Sequence, residues 1–208
     1  MQAITTENEQ SFERVLEQLE AELNQQGNTG AARKASELRN KYRSQELVLA
    51  FCGHFSAGKS SLMNWLCGHQ VLPTSPVPTT ANIASIRCGQ PRAMVHTHDG
   101  GTLQIGLQEL DEYCKNGGDY EAVELWDDIP LLGDHGVLLD TPGVDSTDAA
   151  HEAATYSALH RADVVFYVMD YNHVQSETNL SFARTLYERG KPLYLIVNQI
   201  DKHEENEL

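Results

Sequence analysis

Gly53-His54-Phe55-Ser56-Ala57-Gly58-Lys59-Ser60 stands between an apolar run, Leu47 to Phe51, and a helical stretch. That order constrains the chain more than any other feature, because G-x-x-x-x-G-K-[ST] has meaning only between a strand and a helix. Phosphate oxygens need several donors converging at close range. Glycines let backbone N–H groups approach, and a helix N-terminus adds positive potential. The segment Gly53, His54, Phe55, Ser56, Ala57, Gly58, Lys59, Ser60 and Ser61 is therefore the expected nucleotide-binding loop. Lys59 is placed to reach the β- and γ-phosphates, and the short Ser60 hydroxyl suits a Mg²⁺ ligand.

From Leu47 onward short apolar runs alternate with helical stretches, the pattern of an α/β fold with a mostly parallel sheet. Strands are expected at Leu47–Phe51, Ile83–Arg87, Val137–Asp140, Val164–Met169 and Leu193–Val197. Met94–His98 and Thr102–Ile105 flank Asp99-Gly100-Gly101 and read as a hairpin on an antiparallel edge. Helices are expected at Leu107–Lys115, Thr147–His160 and Glu177–Arg189. Ahead of this body, Phe12, Val15, Leu16, Leu19 and Leu23 recur at helical intervals, and a second helix is expected over about Ala31–Arg43. The division is thus 1–46, helical, and 47–208, the α/β domain. The helices either pack on that domain or belong to a bundle completed elsewhere.

Two later motifs give the loop its partners. Asp140-Thr141-Pro142-Gly143 ends an apolar run, so Asp140 reads as the strand-end carboxylate of a Mg²⁺ shell and the Gly143 N–H as a γ-phosphate donor. Asn198-Gln199-Ile200-Asp201 follows the last strand and is similar to the guanine-reading N-K-x-D, with Gln for Lys. A carboxylate at Asp201 can accept from guanine N1–H and N2–H₂, whereas adenine offers no such pair. GTP is the expected nucleotide, held with reduced affinity where Gln199 lacks the usual ammonium. Between these motifs, Leu72-Pro73-Thr74-Ser75-Pro76-Val77-Pro78-Thr79-Thr80 suits a nucleotide-sensing switch, with Thr80, or Thr79 beside it, closing on Mg²⁺ and the γ-phosphate.

Composition removes several function classes. Thirty Asp plus Glu against fifteen Lys plus Arg give a formal net charge of -15, which repels nucleic-acid backbones. Cys52, Cys67, Cys88 and Cys114 form no C-x-x-C pair or zinc-ligand spacing, and no apolar run is long enough to cross a membrane. A cytoplasmic location is expected. His54 is expected as a surface or dimer-contact residue, and His96 and His98 share a face without a third ligand. The acidic stretch Asp99–Asp128 reads as a solvated surface.

With these residues in hand, the chain resembles the dynamin superfamily, most closely the bacterial dynamin-like proteins. The resemblance rests on S-A-G-K-S-S at Ser56–Ser61, on L-P-T-S-P-V-P-T-T, and on L-L-D-T-P-G, and covers about residues 45–205. It implies a P-loop GTPase domain, incomplete at its C-terminal end, preceded by helices of a helical-bundle neck segment. It also implies hydrolysis of GTP to GDP with Ser56, Lys59 and Thr80 as catalytic residues, and Ser60, Thr80 and Asp140 around Mg²⁺. A monovalent cation, K⁺ or Na⁺, would act with Ser56 once two GTPase domains meet. Membrane lipids would be contacted by regions outside this chain, giving peripheral membrane association and membrane remodelling or tethering.

Val144 stands where Ras-like enzymes carry a water-orienting Gln, and Phe55 where eukaryotic dynamins commonly carry an amide. Two other readings therefore stay open. One is a GTP-dependent binding switch or scaffold with negligible hydrolysis. The other is an Era-like RNA- or ribosome-associated GTPase, against which the acidic balance counts.

Overall fold

The computed structural model describes residues 2–73, 83–110, 113, 120–143 and 159–202, with side chains from residue 11 onward. It divides into two compact units, Met1–Glu46 and Leu47–Leu208. Most of the helix expected at Thr147–His160 and the end of that at Leu107–Lys115 lie outside the described residues.

The first unit is a helical hairpin of α1 (Gln2–Gln25) and α2 (Thr29–Ser44). Leu16, Ala32 and Ala35 are buried, and Phe12 meets Tyr42 edge-on at 4.8 Å. Arg39 pairs with Glu20 at 3.0 Å and Arg43 with Glu13 at 3.1 Å, a register that requires the helices to run antiparallel. Helix α2 starts two residues before the sequence suggests. The Asn28 side chain accepts from Ala31 N at 3.3 Å and caps the helix, so Thr29 and Gly30 are already helical.

The second unit is built on one eight-stranded sheet of order β4-β3-β5-β2-β6-β1-β7-β8. Its strands are β1 (Leu47–Gly53), β2 (Ile83–Cys88), β3 (Arg92–Thr97), β4 (Thr102–Ile105), β5 (Tyr120–Asp127), β6 (Gly136–Asp140), β7 (Val164–Asp170) and β8 (Leu193–Asn198). β6, β1, β7 and β8 run parallel. β2 enters antiparallel to β6 and parallel to β5, and the β3–β4 hairpin forms the antiparallel edge. Among the described residues two α-helices flank the sheet, α3 (Lys59–Cys67) and α4 (Glu177–Glu188).

β1, β6 and β7 are buried on both faces, and their period of two sorts the core into halves. Val48, Ala50, Cys52, Val137, Leu139, Val165, Tyr167 and Met169 pack with Phe182 and Leu186 of α4. Phe51, Leu138 and Val168 point the other way, toward Met63 and Cys67 of α3. Continuous apolar strands of this kind have to sit in the middle, which brings their C-terminal ends to one edge.

β5 corrects the expectation of a solvated acidic surface. Val123 and Leu125 are buried, while Glu124 lies on the other face. Glu124 is met there by Arg87 at 3.5 Å and His96 at 3.3 Å, and Asp127 by His69 at 2.9 Å.

Where β7 turns into α4, a buried polar chain sets the geometry. Tyr167 OH donates to Asn179 Oδ1 at 2.7 Å, and Asn179 Nδ2 donates to His173 O at 2.7 Å. Asn179 and Tyr167 are both buried, so removing the amide strands a hydroxyl and a carbonyl away from water. Asn179→Ala is expected to lower the unfolding free energy by about 1–3 kcal/mol in a urea titration; an unchanged midpoint would show that the chain contributes nothing.

Candidate functional site

β1 ends at Gly53 with φ of 148°, and a Cβ there would lie 2.0 Å from Val168 O on the neighbouring strand. Only glycine allows the strand to leave the sheet this close to β7. The loop then turns through Ser56 at φ 61° and Gly58 at φ 91° into α3. Lys59, in the first turn of α3, is buried, and its Nζ donates to Gly53 O and His54 O, both at 3.1 Å. The ammonium thus sits inside the curl of the loop, beside the helix N-terminus.

The parallel register pairs Phe51 with Asp140, which delivers that carboxylate beside the loop. Thr141 Oγ1 donates to Phe51 O at 3.1 Å and extends the pairing past the strand end. Ser60 Oγ donates to Asp140 Oδ2 at 2.9 Å, whereas Asp140 Oδ1 is buried without a hydrogen-bond partner among the described residues. Burial raises the Asp140 carboxyl above its ordinary value, against the opposing pull of Lys59 and the Ser60 hydrogen bond. A hydroxyl and a carboxylate with one oxygen left over are donors a hard divalent cation takes, so these residues fit Mg²⁺. Gly143 lies against the loop as well, where a Cβ would come within 2.9 Å of Phe55 N.

The other side of the loop is closed by the end of β8. Asn198 Nδ2 donates to Ala57 O at 2.9 Å, and a Cβ at Gly58 would lie 2.4 Å from that same nitrogen. Gln199, at φ 60°, donates from Nε2 to Ser56 O at 2.6 Å. The amide therefore reaches the loop backbone that the missing ammonium was expected to reach. Asp201 follows in the short turn Ile200–Lys202 and is exposed. Thr79, Thr80 and Val144 lie outside the described residues.

His54 departs from the surface position expected of it: its side chain is buried. Its Nε2 lies 2.5 Å from Asp170 Oδ2, and His173 Nδ1 lies 2.7 Å from the same oxygen. Burial works to raise the Asp170 carboxyl, but the His173 hydrogen bond and the neighbouring His54 outweigh it and hold the group below its ordinary value. Asp170 and His173 went unnoticed in the sequence. Cys52, beneath the loop, is electrostatically silent, since burial pushes its thiol up to about 12.

A family model described as the dynamin family matches residues 49–201. Dynamin-like protein A of Bacillus subtilis (strain 168) is 45% identical over 180 residues, which are 85% of this chain and 15% of that protein. Dynamin-like protein 2 of Campylobacter jejuni (strain 81-176) is 28% identical over 144 residues, 66% of this chain and 24% of that protein. Among solved structures, a chain of an oligomerised bacterial dynamin pair, described as a mechanism for long-range sensing and tethering of membranes, matches in fold with a TM-score of 0.62. It is 23% identical, and the match covers 83% of this chain and 29% of that chain. The chain spans less than a third of the length of each of these three proteins.

The raised Asp140 carboxyl gives a pH-dependent expectation. A carboxyl that holds its proton more tightly when folded costs stability above its folded pKa, and the cost disappears as pH falls toward the ordinary value of 3.8. Without nucleotide or Mg²⁺ at neutral pH, Asp140→Asn is expected to melt above the parent, by about 2–4 °C for each kcal/mol relieved. The gap should close on acidification; scanning calorimetry of both proteins across pH checks it, and a lower melting temperature for the variant at neutral pH would contradict the assignment.

Proposed function

Because the chain belongs to the dynamin family, we propose that it binds GTP at the Gly53–Ser61 loop and hydrolyses it to GDP and phosphate. The observation that carries this reading is convergence on one loop. Ser60 meets Asp140 on one flank, and Asn198 and Gln199 grip the carbonyls of Ala57 and Ser56 on the other. Backbone N–H groups at the start of α3 and the Lys59 ammonium face the phosphates and stabilise the charge that shifts toward the β–γ bridge. Ser60 Oγ and Asp140 would hold Mg²⁺, with Thr80 or Thr79 completing the shell, and the ion supplies neutralisation of phosphate charge. Asp201 accepts from the guanine edge, which excludes adenine.

Hydrolysis also needs an oriented water, and no glutamine follows Gly143 to provide it. We assign that step to a dimer of two GTPase domains meeting across the nucleotide face, with Ser56 and K⁺ or Na⁺ at the β–γ bridge. Exposed Phe55 and Ser56, at the crest of the loop, support such a meeting. Coupling to membrane tethering or remodelling is proposed for the longer assembly, on the strength of the bacterial dynamin pair. No helix among the described residues is long and apolar enough to cross a membrane.

GTP turnover per protomer, measured across protein concentration with Mg²⁺ and with K⁺ and Na⁺ compared, tests the reading. The specific rate should climb with concentration, and Lys59→Ala should abolish it. Normal turnover in Lys59→Ala would sink the proposal, and a flat rate from the parent would favour a binding switch. Gln199→Ala should weaken GTP binding about fivefold, the loss of one hydrogen bond of about 1 kcal/mol, and Gln199→Lys should restore it. Equilibrium titration with a fluorescent GTP analogue measures both, and unchanged affinity in Gln199→Ala would remove that contact from the binding account.

A further inference from the structure

We propose that His54, Asp170 and His173 form a binding site for a transition-metal ion of the Zn²⁺ class, behind the phosphate loop and apart from its Mg²⁺ ligands. One ligand atom from each residue lies within 4.8 Å of the other two. Two imidazole nitrogens and a carboxylate oxygen make a donor set that Zn²⁺ and Co²⁺ take readily and Mg²⁺ does not.

The surroundings are those of a built metal site. His54 Nδ1 faces Phe55 O at 2.5 Å; a carbonyl can only accept, so Nδ1 carries the proton and directs Nε2 toward Asp170. Metal-bound histidines are oriented in this way, by donation from the ring nitrogen that does not ligate. His173 is held from behind, because its carbonyl accepts from buried Asn179, which Tyr167 holds in turn. Asp170 Oδ1 accepts from Asn172 N at 2.9 Å and fixes the carboxylate.

Two of the three separations need little adjustment. Tetrahedral Zn²⁺ with bonds of about 2.0 Å sets neighbouring ligand atoms roughly 3.3 Å apart. His54 Nε2 and His173 Nδ1 lie 2.5 Å and 2.7 Å from Asp170 Oδ2. Each of these two separations therefore opens by less than about 1 Å to admit an ion. The His173 side chain is 64% exposed, which gives it room to move and leaves a path and a fourth position for water. An ion here would tie the phosphate loop to the end of β7 through His54.

The test is Zn²⁺ titration by calorimetry, and Co²⁺ titration by visible absorption, on the whole chain without a polyhistidine tag. One equivalent should bind with micromolar affinity, and Co²⁺ should show the intense bands of four-coordination. His173→Ala, at an exposed position outside the loop, should weaken Zn²⁺ binding by at least the ~10–100-fold that loss of an outer-shell partner costs. His69→Ala, which removes a histidine paired with Asp127 elsewhere, should leave it unchanged. Equal affinity in His173→Ala, six-coordinate Co²⁺ bands, or no binding at micromolar metal would each overturn the site and leave the three residues as a hydrogen-bonded strut. None of these readouts depends on GTP turnover.

Discussion

A buried ammonium group must be surrounded by acceptors or give up its charge, and Lys59 imposes that condition on everything around it. The acceptors it finds are carbonyls of its own loop, Gly53 and His54. For those oxygens to point inward the loop has to curl, and the curl depends on backbone angles that few residues adopt. The strand before it, the helix after it and the two flanking segments all hold that curl in place. Asp140 faces the same ammonium from the adjacent strand, its carboxyl raised by burial and drawn back down by Lys59.

Most of this was legible in the chain because it rests on local rules. Apolar strands with period two, a glycine-bearing strand-to-helix turn and a hairpin with consecutive glycines each announce themselves within ten residues or so. All seven strands expected from the pattern form, with ends within about two residues of their expected positions. Gly53–Ser60, Asp140, Gly143, Asn198 and Gln199 come together because parallel strands bring their C-terminal ends to the same edge.

What stayed hidden depends on separation in sequence. β5 was obscured by its own acids, since Glu124 and Asp127 look like solvent residues until Arg87, His96 and His69 arrive from other segments to meet them. His54 was misplaced for a similar reason. Its partner Asp170 is 116 residues away, and no local pattern distinguishes a buried histidine from one on the rim of a loop. The early start of α2 is a smaller case, decided by a single Asn28 side chain.

The close approach of Gly58 to Asn198 has a consequence for how such a chain can change over generations. A side chain at position 58 and an amide at position 198 compete for one volume, so the two positions, 140 apart in the chain, do not vary independently. Among descendants, a larger residue at 58 should appear only beside a smaller one at 198, and the paired loss would release both the loop and the base-reading turn. Because Gly58 also sits at φ 91°, a side chain there is strained even where position 198 makes room, which ties this glycine to the curl of the loop twice over.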